Sequence, residues 1–280
     1  MQLKTIPSFG VVGNPIKHSR SPRIHLLFGE QLGIELQYDR IEAPLNQFAT
    51  TVQHFFNHGG RGLNITVPFK LEAKELACAH LSARAQQAMA VNTLWMQKNE
   101  LHGCNTDGVG LLGDLLRQSV VVLGAKVLLV GAGGAARGVI GPLLEAGCSE
   151  LRVVNRTASR AHELIKAWPN HSKTLSAGGL ADASTPGGWN IVINASASSL
   201  SDQVPDLPRG LYASDSCAYD MMYDCKATPF MDQAASDGAQ LRSDGLGMLV
   251  GQAAESFYIW HGVKPDVSSV INKVRAELTA

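Results

Sequence analysis

The stretch Lys126-Val127-Leu128-Leu129-Val130-Gly131-Ala132-Gly133-Gly134-Ala135-Ala136 decides how this chain folds. Its apolar run reads as a buried strand, and it passes directly into a glycine-rich turn. The turn spells G-x-G-x-x-A, and residues 134–146 after it have a helical pattern. Strand, turn and helix in that order are the setting a dinucleotide-binding fingerprint requires. Gly131 would permit the tight turn, and Gly133 would let the backbone approach a pyrophosphate. Ala136 would keep the helix close to the strand. Unpaired N–H groups at the start of the helix would then hold negative charge. A helix packed tightly on a sheet would use the same small residues, so the flanks give the motif its meaning.

The next strand bears on the choice of nicotinamide. NAD enzymes usually place an acid about 20 residues past the glycines, where it bonds the ribose 2′-hydroxyl. Here the strand ends at Asn155-Arg156-Thr157, with Arg160 one helical turn on. No acid is present, and two guanidinium groups could grip a 2′-phosphate, so the sequence points to NADP. The competing reading makes Arg156 and Arg160 ordinary solvated residues at a helix start.

Outward from this point the same alternation continues. Strands are expected over residues 151–155, 190–195 and 211–214, with helices over 159–168, 246–262 and 267–278. Ahead of Lys126 lies a different α/β unit, with strands over 9–13, 36–43 and 62–67 and helices over 22–33, 45–58 and 71–90. Residues 91–106 read as a hairpin turning near Lys98 to Glu100. The expectation is an α/β protein of two domains with mostly parallel strands. A site using both halves would lie in a cleft between them.

Composition narrows the partners. Hydrophobic residues make up 45% of 280 and charged residues 17%, which suits packed cores. The 24 basic and 24 acidic residues cancel, giving no electrostatic reason to expect nucleic acid or an anionic membrane. Met1 to Phe9 lacks the apolar run of a signal peptide, and no stretch approaches a membrane span. Five scattered cysteines without a Cys-x-x-Cys pair indicate neither a disulfide framework nor a zinc site, and suggest a reducing, cytoplasmic setting.

Four polar clusters in the first half sit at expected strand ends or turns. In GNPIKHSRSP (13–22), Ser19 and Ser21 would face the same way in an extended segment and could both reach a carboxylate. Ser21 before Pro22 is equally an ordinary helix cap. In NITVPFK (64–70), alternation separates Asn64 and Thr66 from Leu63, Ile65 and Val67, and Lys70 follows at the strand's carboxyl end. AVNT (90–93) and NTDG (105–108) complete the set, and either could be a simple Asx turn. Hydride delivered to a ketone carbon creates an alkoxide that needs a proton donor, and a lysine beside a carboxylate can be that donor. Lys70 and Asp107 are the natural pair, with His18, His25, His102 and His261 behind them. Farther on, Gly245, Met248 and Gln252 share one helical stripe beside an apolar one.

Together these segments resemble the shikimate dehydrogenase family. The matching stretches are GNPIKHSRSP, NITVPFK, AVNT, NTDGVG, GAGGAARG, NRTASRA, YDMMYDCKATPF and DGLGMLVGQ, in the family's order from Phe9 to about Pro265. The resemblance implies NADPH-dependent reduction of 3-dehydroshikimate to shikimate, a step in aromatic amino acid biosynthesis. It implies a substrate domain over residues 1–107, a Rossmann-like NADP domain over 108–245, and helices over 246–280 that return to the first domain. Ser19 and Ser21, helped by Tyr223, would bind the substrate carboxylate. Asn64, Thr66, Asn92 and Gln252 would hold ring hydroxyls or the reacting centre, and Lys70 with Asp107 would be catalytic. Met221 and Gly245 would lie near the nicotinamide, and the resemblance leaves a homodimer open. Cys104, Met89 and the loop 196–205 depart from the family's pattern, where an acid and a glycine are common at the first two. Three rivals stand against this. A different Rossmann enzyme with a similar nucleotide half is disfavoured by the first-half motifs. Quinate-active relatives often carry Thr for the second serine and an acid after the second nucleotide-domain strand, unlike Ser21 and Asn155-Arg156. A catalytically silent metabolite sensor would not need both Lys70 and Asp107.

Overall fold

The computed structural model describes residues 6–196 and 203–279, so part of the atypical loop 196–205 lies outside them. The chain divides into two compact units, residues 1–110 with 250–277 and residues 111–249 with 278–280. No helix among the described residues is long and apolar enough to cross a membrane.

In the first unit, β1 (Ser8–Gly13), β2 (Gln37–Glu42), β3 (Gly60–Ile65), β4 (Thr93–Gln97) and β5 (Glu100–Cys104) form one sheet in the order β2-β1-β3-β4-β5. β1 runs parallel to β2 and β3, while β4 and β5 are antiparallel additions. The hairpin turns on Lys98 and Asn99, both with positive φ (52° and 65°), the backbone a two-residue turn demands. Helix α1 (Ser21–Leu32) has Pro22 in its first turn and ends on Gly33, whose left-handed φ of 65° lets its N–H bond Gly29. Helix α2 (Phe48–Asn57) starts three residues later than the sequence pattern indicates. Val12, Phe48, Val52, Leu63, Ile65, Phe69 and Leu94 pack together in this unit's core.

Two expectations fail here. The single helix over 71–90 is two, α3 (Lys70–Leu76) and α4 (Ala83–Ala88). Tertiary pairing breaks it: Leu81 bridges Gly103, Gly103 N–H donates to His80, and Ser82 N–H donates to Gly103. Ser82 then caps α4 by accepting from Ala85 N–H at 3.2 Å. The strand over 62–67 stops at Ile65, and Val67 is 68% exposed rather than on the core face.

Helix α5 (Asp107–Arg117) opens where the sequence suggested only a turn. In the second unit, β6 (Lys126–Val130), β7 (Glu150–Val154), β8 (Leu175–Gly178), β9 (Trp189–Asn194), β10 (Tyr212–Asp220) and β11 (Leu241–Ser243) form a parallel sheet in the order β11-β10-β9-β6-β7-β8. Val127 and Leu129 enter one core cluster and Leu128 and Val130 the other, so β6 is buried on both faces. Strand order reverses between β6 and β9, the switch point of a Rossmann sheet. The sequence reading passed over β8, β11 and helix α8 (Pro229–Ser236), all short. Helices α6 (Gly134–Glu145) and α7 (Ala158–Ile165) join the strands, and α9 (Leu246–His261) and α10 (Val267–Thr279) end the chain. Of the free cysteines, Cys104, Cys148 and Cys217 are buried, while Cys78 and Cys225 are exposed. Burial raises the Cys148 thiol and pushes that of Cys217 up to about 12.

His25 sits inside the first unit, 1% exposed and stacked on Tyr38 at 4.3 Å. Burial first, and then His261, push its imidazole down to about 3. An unfolded histidine titrates near 6.5. Between pH 6.5 and about 3 the unfolded chain therefore binds a proton that the folded unit refuses, and stability falls as pH drops. From pH 7 to pH 5, urea denaturation should show the unmodified protein losing about 2 kcal/mol more than His25→Phe. Equal losses in both proteins would assign the acid sensitivity to other groups.

Candidate active site

In the first unit, backbone hydrogen bonds stitch the polar clusters together. Val91 N–H donates to Lys70, Ile65 N–H to Asn92, and Asn92 N–H to Cys104. Lys70 is the first residue of α3 and Asp107 the first of α5. Lys70 Nζ donates to Asp107 Oδ2 at 2.5 Å, with side-chain exposures of 14% and 7%. Asn92 Nδ2 donates to Asp107 Oδ1 at 2.8 Å and to Thr106 Oγ1 at 2.9 Å, and Asp107 N–H donates to Asn105 Oδ1. A helix N-terminus favours the carboxylate and opposes the ammonium, so the pair offsets the cost of placing Lys70 there. Gln252 Oε1 lies 3.4 Å from both Asn92 Nδ2 and Thr106 Oγ1.

Ser19 and Ser21 also meet. Their hydroxyl oxygens are 3.2 Å apart, and Ser21 N–H donates to Ser19 Oγ. Arg20 occupies the cap position of α1 with no side-chain capping bond, so the hydroxyl of Ser21 does not cap the helix. Asn64, 5% exposed, accepts from Tyr38 Oη at 2.7 Å and donates to Ser256 Oγ at 2.9 Å. Thr66 is half-buried just past β3. Tyr38 and Ser256 are members of this network that sequence reasoning missed, and Thr93 and Asn105, inside the AVNT and NTDG clusters, are members to which it gave no role. One signal was available: Ser256 stands one helical turn beyond Gln252.

The second unit holds the glycine turn. Gly131 has φ 113°, and a Cβ there would press within 3.0 Å of the Ala195–Ser196 backbone. Gly133 has open space where a Cβ would stand, and it caps α6 with no side-chain bond to the first N–H groups. Ala136 is fully buried in the core beneath. A cavity of about 610 Å³ at this end of the sheet is lined by Val130, Gly131, Asn155, Arg156, Thr157 and Arg160 among others. Asn155 Nδ2 donates to Thr157 O and shapes the turn, leaving Arg156 and Arg160 exposed. Uncapped N–H groups, a glycine open to close approach and two guanidiniums in one cavity fit a dinucleotide carrying an extra phosphate.

Met221, Tyr223 and Gly245 belong to this unit as well. Buried Asp220 accepts from Thr228 Oγ1 (2.6 Å), Asn194 Nδ2 (3.1 Å) and Met222 N–H (3.1 Å), which fixes the chain at Met221. Gly245 N–H donates to Met222 O, and a Cβ on Gly245 would collide with the Met221 carbonyl. Half-buried Tyr223 follows the end of β10. Of the histidines weighed for acid–base work, His25 is a buried ring stacked on Tyr38 and His261 a half-buried ring tilted against Phe9 and Phe257, and burial lowers both. His102 stacks on Trp95 and His80, and His18 is exposed.

A parallel sheet in Rossmann order with this turn, in a chain whose other unit bears a lysine–carboxylate pair, defines a nicotinamide-dependent oxidoreductase. Family models agree in detail: a shikimate dehydrogenase substrate binding domain matches residues 11–94, a shikimate/quinate 5-dehydrogenase domain 114–200, and a shikimate 5′-dehydrogenase C-terminal domain 245–275. The chain is 59% identical to the shikimate dehydrogenase (NADP(+)) of Bordetella petrii over 100% of this chain and 99% of that one. Among solved structures it resembles an Ael1 enzyme of Pseudomonas putida (TM-score 0.88, 40% identity, 98% of each chain). It also resembles the Thermus thermophilus shikimate 5-dehydrogenase solved with NADP(H) and shikimate (TM-score 0.85, 32% identity, 98% of this chain and 100% of that one). The chain belongs to the shikimate dehydrogenase family.

The two exposed arginines generate a test of cofactor choice. Arg156→Ala should raise the Michaelis constant for NADP far more than that for NAD, because only NADP carries the phosphate they would grip. Steady-state assays with each cofactor measure this, and equal use of both by the unmodified protein would refute it.

Proposed function

We propose that this chain reduces 3-dehydroshikimate to shikimate with NADPH, reversibly, as a step in aromatic amino acid biosynthesis in the cytoplasm. The observation that carries the reading is the ammonium of Lys70 resting on the buried carboxylate of Asp107 at 2.5 Å. Bound NADPH supplies a hydride to the substrate's carbonyl carbon. The carbonyl oxygen then gains negative charge, which the Lys70 ammonium stabilises and protonates. Asp107 holds Nζ at its station, and in the reverse direction the neutral amine takes the proton back. Asn92 and Asn105 keep Asp107 from turning away.

Residues 1–107 with 246–280 would serve the substrate and residues 108–245 the cofactor. Ser19 and Ser21 would donate to the substrate carboxylate, with Tyr223, and their facing hydroxyls support this. Asn64, Thr66, Asn92 and Gln252 would hold the ring hydroxyls. Gly131, Ala132, Gly133, Gly134 and Ala135 would bind the pyrophosphate, Asn155, Arg156, Thr157 and Arg160 the ribose phosphate, and Met221 and Gly245 the nicotinamide. Free thiols, none paired among the described residues, support a reducing compartment.

Purified protein offered NADP with shikimate or quinate separately tests the activity. NADPH should form with shikimate, and formation with quinate alone would overturn the assignment. Ser19→Ala should weaken shikimate binding by about 1 kcal/mol or more, with NADP binding unchanged. Calorimetry measures both, and unaltered shikimate affinity would remove the serine from the site.

Groups that act on developing charge work mainly in the transition state. Lys70→Ala and Asp107→Ala should therefore each lower turnover at least about a hundredfold, and the double mutant should be scarcely worse than either. Stopped-flow measurement of hydride transfer checks this. Near-normal transfer in Lys70→Ala would mean that the proton comes from elsewhere.

A further inference from the structure

A second cluster of chemically capable side chains lies on the β4–β5 hairpin of the first unit and takes no part in the reaction above. Glu100 and His102 are two residues apart on β5, so strand alternation sends both to the same face. The segment after α3 runs alongside as a short parallel partner. Leu81 bridges Gly103, and Gly103 N–H donates to His80 O at 3.0 Å. That register sets His80 beside His102, and the two rings stack at 4.7 Å with 26° between their planes. Glu100 Oε2 approaches His80 Nε2 at 3.3 Å. One donor atom from each of the three residues lies within 4.8 Å of the others.

We propose that His80, Glu100 and His102 form a binding site for a divalent transition-metal ion of the zinc class. Two imidazoles and a carboxylate are the donors such ions prefer, leaving a fourth position for water. Tetrahedral zinc with bonds of about 2.0–2.1 Å separates its ligands by roughly 3.3 Å, so small side-chain rotations close the present spacing. The backbone bridge settles the placement of both histidines in advance, which removes most of the ordering cost of binding. Glu100 is 56% exposed in its side chain and His80 33%, so an ion and its water can enter from solvent. Trp95 faces His102 across the hairpin and stacks on it at 5.4 Å, which places a fluorophore against the site. A bound ion would clamp the segment that follows α3 to the strand that leads towards Asp107.

Calorimetric titration of the chelator-treated full chain with zinc chloride tests the site. One ion should bind per chain, and His80→Ala, His102→Ala and Glu100→Gln should each weaken it at least tenfold. Circular dichroism would confirm that the variants remain folded. His54 and His58, one turn apart on and just after α2 with rings 4.0 Å apart, are the competing pair. His54→Ala should leave the affinity as it was. Nickel chloride should quench part of the tryptophan emission of the unmodified protein, and Trp95→Phe should remove that part without touching either histidine. Absence of stoichiometric zinc binding would overturn the proposal. So would binding that survives His80→Ala and His102→Ala, or that is lost in His54→Ala.

Discussion

A buried carboxylate is costly unless it is answered from every side, and Asp107 is 5% exposed. The answers organise the first unit. Lys70 supplies the countercharge and Asn92 a side-chain donor, and the carboxylate stands in the first turn of α5, where the helix dipole favours negative charge. Asn92 can serve only because it joins β3 through its carbonyl and β5 through its N–H. Removing any one partner would leave charge or amide groups buried without compensation, which explains why the polar clusters converge although they are spread over four loops. Tyr38, Asn64, Thr93 and Ser256 continue the same logic inward as hydroxyls and amides that satisfy each other.

The second unit depends on a different constraint, the close approach of backbone to backbone. Gly131 passes the Ala195–Ser196 peptide where a side chain would press, and Gly245 passes Met221 where one would collide. Around these points polar groups hold the chain ends at the switch point. Asn194 at the end of β9 accepts from Ser196, and Asp220 at the end of β10 ties down the stretch after it. The fold therefore builds one unit by satisfying charge and the other by excluding volume.

Features with strong local signals were legible in the sequence. The run 126–136, the Pro22 start and Gly33 stop of α1, and the Lys98–Asn99 turn each have a local cause that survives in the structure. What escaped reading has non-local causes. The break between α3 and α4 comes from pairing with β5, and α5 begins on residues that taken alone suit a turn equally well. Lys70 and Asp107 could be paired by chemistry, and the family motifs supported them. Thr93 and Asn105 stand within the AVNT and NTDG clusters, but nothing local gives them a role, and Tyr38 carries no pattern that marks it out. Met89 is a case where resemblance was informative by its failure. It takes φ 52° as the C-cap of α4, a conformation for which glycine is the ordinary choice.

The distribution of thiols has a practical consequence. Three of the five cysteines are sealed in the interior, and two are exposed. Cys78 lies in the first unit and Cys225 in the second. Nature has thus supplied one reactive handle on each half of the chain, with the remainder shielded from alkylating reagents. A maleimide donor–acceptor dye pair could be attached without engineering any residue, and single-molecule energy transfer would then follow the distance between the halves as ligands come and go.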